Sequence, residues 1–258
     1  MSIRGAAHVA GAYEHPTREA PNKSTAELHA EVVEGALDDA GLERSDVDAL
    51  FVTWPRGMST VSAAEYLGLT DLSYVDSTNT GGSSYVIHVG HAAAAIAAGK
   101  ADVAVISLAG RPRSAAWGSG ARTDRRGAAP EDDFEAPYGL TTIGAYALAA
   151  SRHMHEYGTT PEQLAEIRVA ASEHAQYNDH AMYPDPVTVE DVVESRMVAE
   201  PLHLLDCCLI SDGGGALVVV SPEVAADVER EAPVVLGHGE AVRHADGGRI
   251  DLTSTGAA

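Results

Sequence analysis

Residues able to do chemistry gather in two short stretches of this chain. The first is the run DSTNTGGSSYVIHVGHAAAAIAAGKADVAVISLAG, Asp76 to Gly110, in which Gly81, Gly82, Ser83 and Ser84 stand directly before a segment built almost wholly of Ala, Val, Ile and Gly. A helix apolar on every face belongs inside a protein. Its first turn is then a buried spot with free N–H groups and the positive end of the helix dipole aimed at whatever the two serines present. Two readings stay open: acyl transfer from Ser83 or Ser84 beside a Gly-rich wall, or a buried helix cap. A hydrolase nucleophile elbow is disfavoured because Val86 occupies the position of its last glycine, and a phosphate loop is excluded because no Gly-Lys-Ser/Thr follows.

The second stretch is PLHLLDCCLISDGGGALVVVS, Pro201 to Ser221. A thiolate at Cys207 or Cys208 is a conceivable nucleophile, but both lead into an apolar strand, where cysteine acts as a small hydrophobe. The run after Asp212, with Gly213 and Gly214, reads as a tight turn that lets backbones approach and shapes a pocket floor. His88 and His91 share a helix face, yet no Cys/His/carboxylate cluster with ligand spacing accompanies them, so they read as hydrogen-bonded core or interface histidines and no metal is expected. His153 and His155 are two apart, cannot share a face, and read as solvent-facing or loop-packing.

The elements that must hold these stretches follow from periodicity and punctuation. AAHVAGAYE suits a strand. STAELHAEVVEGALDDAGL suits a helix, with Ser24 and Glu27 as a capping box and Gly41 as its stop. VDALFVT, LSYVDS, DVAVISLAG and GGALVVVS read as strands, and Ser62–Leu67 as a short helix. Three more helices run through TIGAYALAASRHMHEYG, PEQLAEIRVAASEHAQYN and TVEDVVES, and APVVLGHGEAV begins another element. Strands with nearly continuous apolar runs, alternating with helices, imply a layered α/β sheet covered on both faces. Residues 111–135, rich in Arg, Gly, Pro and acid, read as an exposed loop or insertion.

Composition limits the partners. The 258 residues carry a formal net charge of −21, and of the 17 basic residues only Lys23 and Lys100 are lysine. Such a surface repels nucleic acid and anionic membranes and fits adaptation to high salt. The adjacent pair Cys207 and Cys208 rarely forms an unstrained disulfide, and no signal-peptide or membrane-spanning run is evident, so a reducing cytoplasmic location is expected.

Together the two stretches resemble a thiolase of the sterol-carrier-protein type. The resemblance rests on GGSSYVIHVGHAAAAIAAGKADVAVIS at the family's nucleophile turn and central helix, continues through YGLTTIGAYALAASRHMHEYGTTPEQLAEIRVAASEHAQYN, and ends on LLDCCLISDGGGALVVVS, similar to the family's Cys-Cys-x-x-Ser-Asp-Gly segment. It covers most of Ile3 to Ser221 and implies a thiolase-like α/β fold, a mixed sheet between helices with an inserted loop domain that grips coenzyme A.

The implied divisions are an N-terminal core at 1–110, a loop and CoA-binding insertion at 111–205, a return to the core at 206–222, and the start of a C-terminal domain at 223–258. The implied activity is Claisen condensation or thiolysis of acyl-CoA thioesters, with no cofactor beyond the CoA thioester substrate. Ser83 and Ser84 are the catalytic candidates, and Gly81, Gly82, Gly213 and Gly214 the substrate-binding ones. An ungapped match sets Gly82 against the family's nucleophilic cysteine, and the family's C-terminal His-Asp-Cys-Phe-like and Gly-His-Pro-Gly motifs are expected to lie beyond this chain. A homodimer, or a hetero-oligomer with a small OB-fold and zinc-ribbon subunit, is the implied assembly. The competing expectations are a non-catalytic acyl-CoA-binding or assembly subunit and a fragment of a longer thiolase.

Overall fold

Ser24 and Glu27 cap each other as their spacing implies, and Gly41 ends the helix in the left-handed region at φ 68°, its N–H shared by the Leu37 and Asp38 carbonyls. The computed structural model describes residues 2–53, 59–115, 141–229, 231–242 and 253. Its strands in chain order are β1 (His8–Glu14), β2 (Ala49–Val52), β3 (Tyr74–Asp76), β4 (Val103–Gly110), β5 (Met197–Ala199), β6 (Leu202–His203) and β7 (Gly213–Val220). Its helices are α1 (Thr25–Ala40), α2 (Thr60–Leu67), α3 (Ser84–Ala97), α4 (Thr142–Tyr157), α5 (Pro161–Ala175), α6 (Val189–Glu194) and α7 (Pro222–Ala225). The chain divides into two compact units, one mainly Met1–Ser114 with Asp212–Val242 and the other mainly Ala115–Ser211.

The first unit is a mixed five-stranded sheet in the order β1-β7-β4-β2-β3. β2 runs parallel to β3 and β4, and β7 runs antiparallel to β4 and β1. Alternation sorts the side chains into two layers. Leu50, Val52, Val103, Val105, Val218 and Val220 face α1 and α2, where Val32, Val33, Leu37 and Leu67 meet them. Ala49, Phe51, Ala104, Ile106 and Val219 face the other way, toward Ala92, Ala93, Ala95 and Ile96 of α3. The expected α/β sheet between helices is thus present, with β2 buried along its whole length.

Two expectations for this unit need correction. α3 is not buried on every face: Ser84, His88, Ala92 and Ala95 turn inward, while Val86 is 75% exposed and Ala94 is exposed as well. A helix laid on one side of a sheet presents it only a stripe, so apolar composition alone does not bury the rest. The glycines after Asp212 do not form a turn. Gly213, Gly214 and Gly215 pair in β7 with Gly110, Ala109 and Leu108 of β4. A Cβ on Gly214 would lie 2.2 Å from the Leu108 carbonyl oxygen, so glycine here permits close strand approach rather than chain reversal.

Asp212 itself is a buried knot. It accepts N–H groups from Ala20 at 2.8 Å and Arg113 at 2.9 Å, and both the N–H and the hydroxyl of Ser114, while its own N–H donates to Arg18 at 2.9 Å. Burial raises the Asp212 pKa, but the bonds from Ser114, Ala20 and Arg113 outweigh it and hold the carboxyl below the usual range. After α7 the chain returns along the outer edge of β1. Val9 donates to Pro233 at 2.8 Å, Val235 to Ala7 at 2.9 Å, and His8 bridges Val234, so an isolated bridge stands where a further element is expected.

The second unit holds α4, α5, α6 and the antiparallel pair β5 and β6. Cys207 and Cys208 are free thiols, and Cys208 is exposed instead of packed in an apolar strand. They follow a short 3-10 turn at Leu204–Asp206 and precede β7 by several residues. Burial and then the Asp206 charge push the Cys207 thiol pKa up, away from thiolate character. His153 and His155 are exposed, and His153 pairs with Thr159 at 2.9 Å. Most of the loop expected at 111–135 lies outside the described residues. Among those described, no helix is long and apolar enough to cross a membrane.

Candidate functional site

The three parallel strands bring Thr53, Asp76 and Gly110 to one edge of the sheet, and the antiparallel β7 begins at that edge with Gly213 and Gly214. In open α/β sheets this carboxyl edge is where ligands bind. Both glycine runs singled out in the sequence therefore stand at the same edge.

The loop from Asp76 to α3 is fixed from within. Asp76 Oδ1 accepts the N–H and the hydroxyl of Thr78, each at 2.8 Å, and the Thr53 hydroxyl donates to the Thr78 carbonyl at 2.9 Å. The Gly81 N–H donates to Asn79 Oδ1 at 3.1 Å, and Gly81 takes φ 82°, a left-handed conformation suited to glycine. Gly81–Ser83 then forms a 3-10 turn that continues into α3.

The two candidate serines differ sharply. Ser84 is fully buried, its hydroxyl donating to the Gly81 carbonyl at 2.7 Å and accepting the Thr80 N–H at 2.8 Å. It braces the turn. Gly81, Gly82 and Ser83 are exposed, and the Ser83 hydroxyl has only Thr80 beside it, with the hydroxyl and the carbonyl oxygen each at 3.4 Å. Among the described residues, no base stands within hydrogen-bond reach of Ser83.

The entrance to α3 is also distinctive in its capping. Side chains of Ser24, Ser59, Thr141, Thr160, Thr188 and Ser221 cap the other described α-helices, but neither Thr80 nor Ser83 caps the turn or helix it precedes, and Asn79 takes only the Gly81 N–H. N–H groups at the positive end of a helical stretch are thereby left available to hold an oxyanion.

One turn below Ser84, His88 is fully buried between the rings of Phe51, at 5.7 Å, and Tyr85, at 6.1 Å. Burial is the main cause that holds its pKa below the ordinary histidine value, and neither ring nitrogen makes a hydrogen bond of good geometry. The Thr78 backbone favours the charged form too weakly to reverse this. His91, one turn further, gives its Nδ1 to Asp76 Oδ2 at 2.7 Å. Burial raises the Asp76 pKa, and the bonds from His91 and Thr78 more than offset it, keeping the carboxylate charged. The reading of His91 as a hydrogen-bonded core or interface histidine names no partners, and the structure supplies Asp76, and then Glu240 and His238 from the returning segment. Local spacing holds no signal for them.

No protein-family model matches the chain. It is 38% identical over 241 residues to a steroid side-chain-cleaving aldolase of Thermomonospora curvata, covering 91% of this chain and 62% of the relative. It is 35% identical over 202 residues to an acetyl-CoA acetyltransferase of Methanothermobacter thermautotrophicus, covering 75% of this chain and 51% of that one. The chain therefore spans between half and two thirds of the length of these relatives. Among solved structures it resembles the Ltp2-ChsH2(DUF35) aldolase with a TM-score of 0.82 and 37% identity, over 91% of this chain and 60% of that one. A monomeric SCP2-thiolase-like protein of Mycobacterium smegmatis shares the fold, with a TM-score of 0.65 at 20% identity over 86% of this chain and 47% of that one. Sequence and fold agree that this chain belongs to the thiolase superfamily, as a thiolase-type domain of the SCP2-thiolase-like kind.

Proposed function

We propose that the chain is the thiolase-type part of an enzyme that cleaves or forms a carbon–carbon bond in a CoA thioester by aldol chemistry, without an acyl-enzyme intermediate. The observation that carries this reading is the state of the two serines at the entrance to α3. The Ser84 hydroxyl is spent on the turn, and among the described residues no base stands beside that of Ser83. A serine hydroxyl attacks a thioester only when a base takes its proton. Aldol cleavage places no such demand on Ser83, because its base acts on the substrate. A base removes the proton from a β-hydroxyl, the Cα–Cβ bond breaks to give a carbonyl product and the thioester enolate, and the enolate is then protonated at carbon. The uncapped N–H groups at Gly82 and Ser83 suit the enolate oxygen, which is where charge develops.

The aldolase relative supports this reading, and the Ltp2-ChsH2(DUF35) neighbour supports assembly with a second subunit. Claisen acyl transfer through Ser83 is the second reading, favoured by the acetyltransferase relative and by the exposure of Ser83. The assembled enzyme is to be given a β-hydroxyacyl-CoA and, separately, a β-ketoacyl-CoA with free CoA. Under the aldol reading the first gives a ketone or aldehyde plus a shortened CoA thioester, and the second is left unchanged. Thiolysis of the second without cleavage of the first refutes it.

A further inference from the structure

The segment that returns along β1 lays Leu236–Glu240 across α3, and it does so through a glycine. A Cβ at Gly90 would lie 2.1–2.2 Å from ring atoms of His238, so only glycine at this helix position lets that imidazole settle beside His91. The two rings stand 5.8 Å apart in an edge-on arrangement. Glu240 joins them, its Oε2 at 3.4 Å from His91 Nε2 and 3.7 Å from His238 Nε2. Both separations are near the ~3.3 Å edge of a tetrahedron whose centre lies about 2.0–2.1 Å from each ligand atom.

The orientation of His91 matters as much as the spacing. Asp76 accepts from its Nδ1, so the tautomer able to ligate carries its proton on Nδ1 and turns the Nε2 lone pair toward Glu240 and His238. Asp76 is in turn held by both donors of Thr78. A carboxylate behind a histidine, with the far nitrogen free to ligate, is the arrangement that raises ligand basicity and sets ring direction at metal centres.

We propose that His91, His238 and Glu240 bind one divalent transition-metal ion of the zinc class, with Asp76 as the positioning residue behind His91. Two imidazoles and one carboxylate leave a fourth position for water or another oxygen ligand. The donor set disfavours Mg2+ and Ca2+, which prefer oxygen ligands, and this separates the site from loose cation attraction to an acidic surface.

The test uses the full chain at molar KCl with millimolar Mg2+ present, titrated with Zn2+ by calorimetry and with Co2+ by visible absorption. One equivalent is expected to bind, with Co2+ giving the strong bands of a four- or five-coordinate site. His238→Ala, at an accessible position, and Glu240→Gln are each expected to weaken binding by about 100-fold or more and to abolish the bands, and Asp76→Asn to weaken it by about 10–100-fold. Replacing Cys207 and Cys208 by serine leaves binding unchanged if the assignment is right. Circular dichroism checks that each variant is folded. Failure of the parent chain to bind stoichiometrically below millimolar metal, equal affinity in folded His238→Ala and parent chains, or loss of binding only in the cysteine variant overturns the proposal.

Discussion

The two faces of the sheet are covered in different ways. On the α1 and α2 face, Leu50, Val52, Val105 and Val218 meet Val32, Val33 and Leu37, and all of them are buried. On the α3 face the covering helix ends in an alanine-rich half, carries the buried polar residues Ser84 and His88, and leaves Val86 in the open. Dense branched packing suits stability, because each fully buried Val or Leu contributes about 1.5–3 kcal/mol. Small residues and polar groups bring less, but they let a helix start, a loop and a returning segment converge on the carboxyl edge. The comparison separates a face that holds the fold from one that exposes groups able to do chemistry.

The polar exception on the stable face offers the largest test of this contrast. His29 of α1 is fully buried, with Nδ1 at 2.7 Å from the Ser107 hydroxyl on β4. Burial pushes its pKa down from 6.5 to about 4. The unfolded chain therefore takes up this proton first as pH falls, and stability is lost between pH 6.5 and about 4. The expected loss is on the order of 3 kcal/mol by the lower end of that window. Urea unfolding across the window measures it, and His29→Gln, which does not titrate, flattens that part of the slope. A slope identical in parent and variant contradicts the burial account.

A smaller effect sharpens the other face. Ala95 is 5% exposed and touches the sheet, while Ala94 beside it is exposed. Ala95→Leu overpacks the layer and costs about 1–3 kcal/mol. Ala94→Leu stays within about 0.5 kcal/mol of the parent. Equal losses at the two positions would mean that α3 is enclosed on all sides, as its composition alone suggests.

That last contrast shows where the sequence is and is not legible. α1 can be read from its capping box and its glycine stop, and β2 and β4 from their unbroken apolar runs, because those signals are local. α3 can be located the same way, but its exposed stripe cannot, since burial depends on what lies on each side and not on the helix itself. Gly213–Gly215 look like a turn because glycine permits turns. The need they serve, clearance for the Leu108 carbonyl across a strand pair, appears only once β4 and β7 are in register. The serines of the candidate site stand out in sequence, whereas the His91 partners do not. Asp76 comes from the preceding strand, and His238 and Glu240 come from a segment that reaches α3 only by pairing along β1.

The central claim is that the entrance to α3 binds a developing oxyanion and does not carry a nucleophile. Its most direct test is the assembled enzyme quenched during turnover of its CoA thioester, with the intact chain weighed by mass spectrometry and Ser83→Ala assayed beside it. The account predicts an unshifted mass and a Ser83→Ala rate within about threefold of the parent, since the N–H groups survive the substitution. An acyl adduct mapped to Ser83, with the variant slowed by about a thousandfold or more, would contradict it.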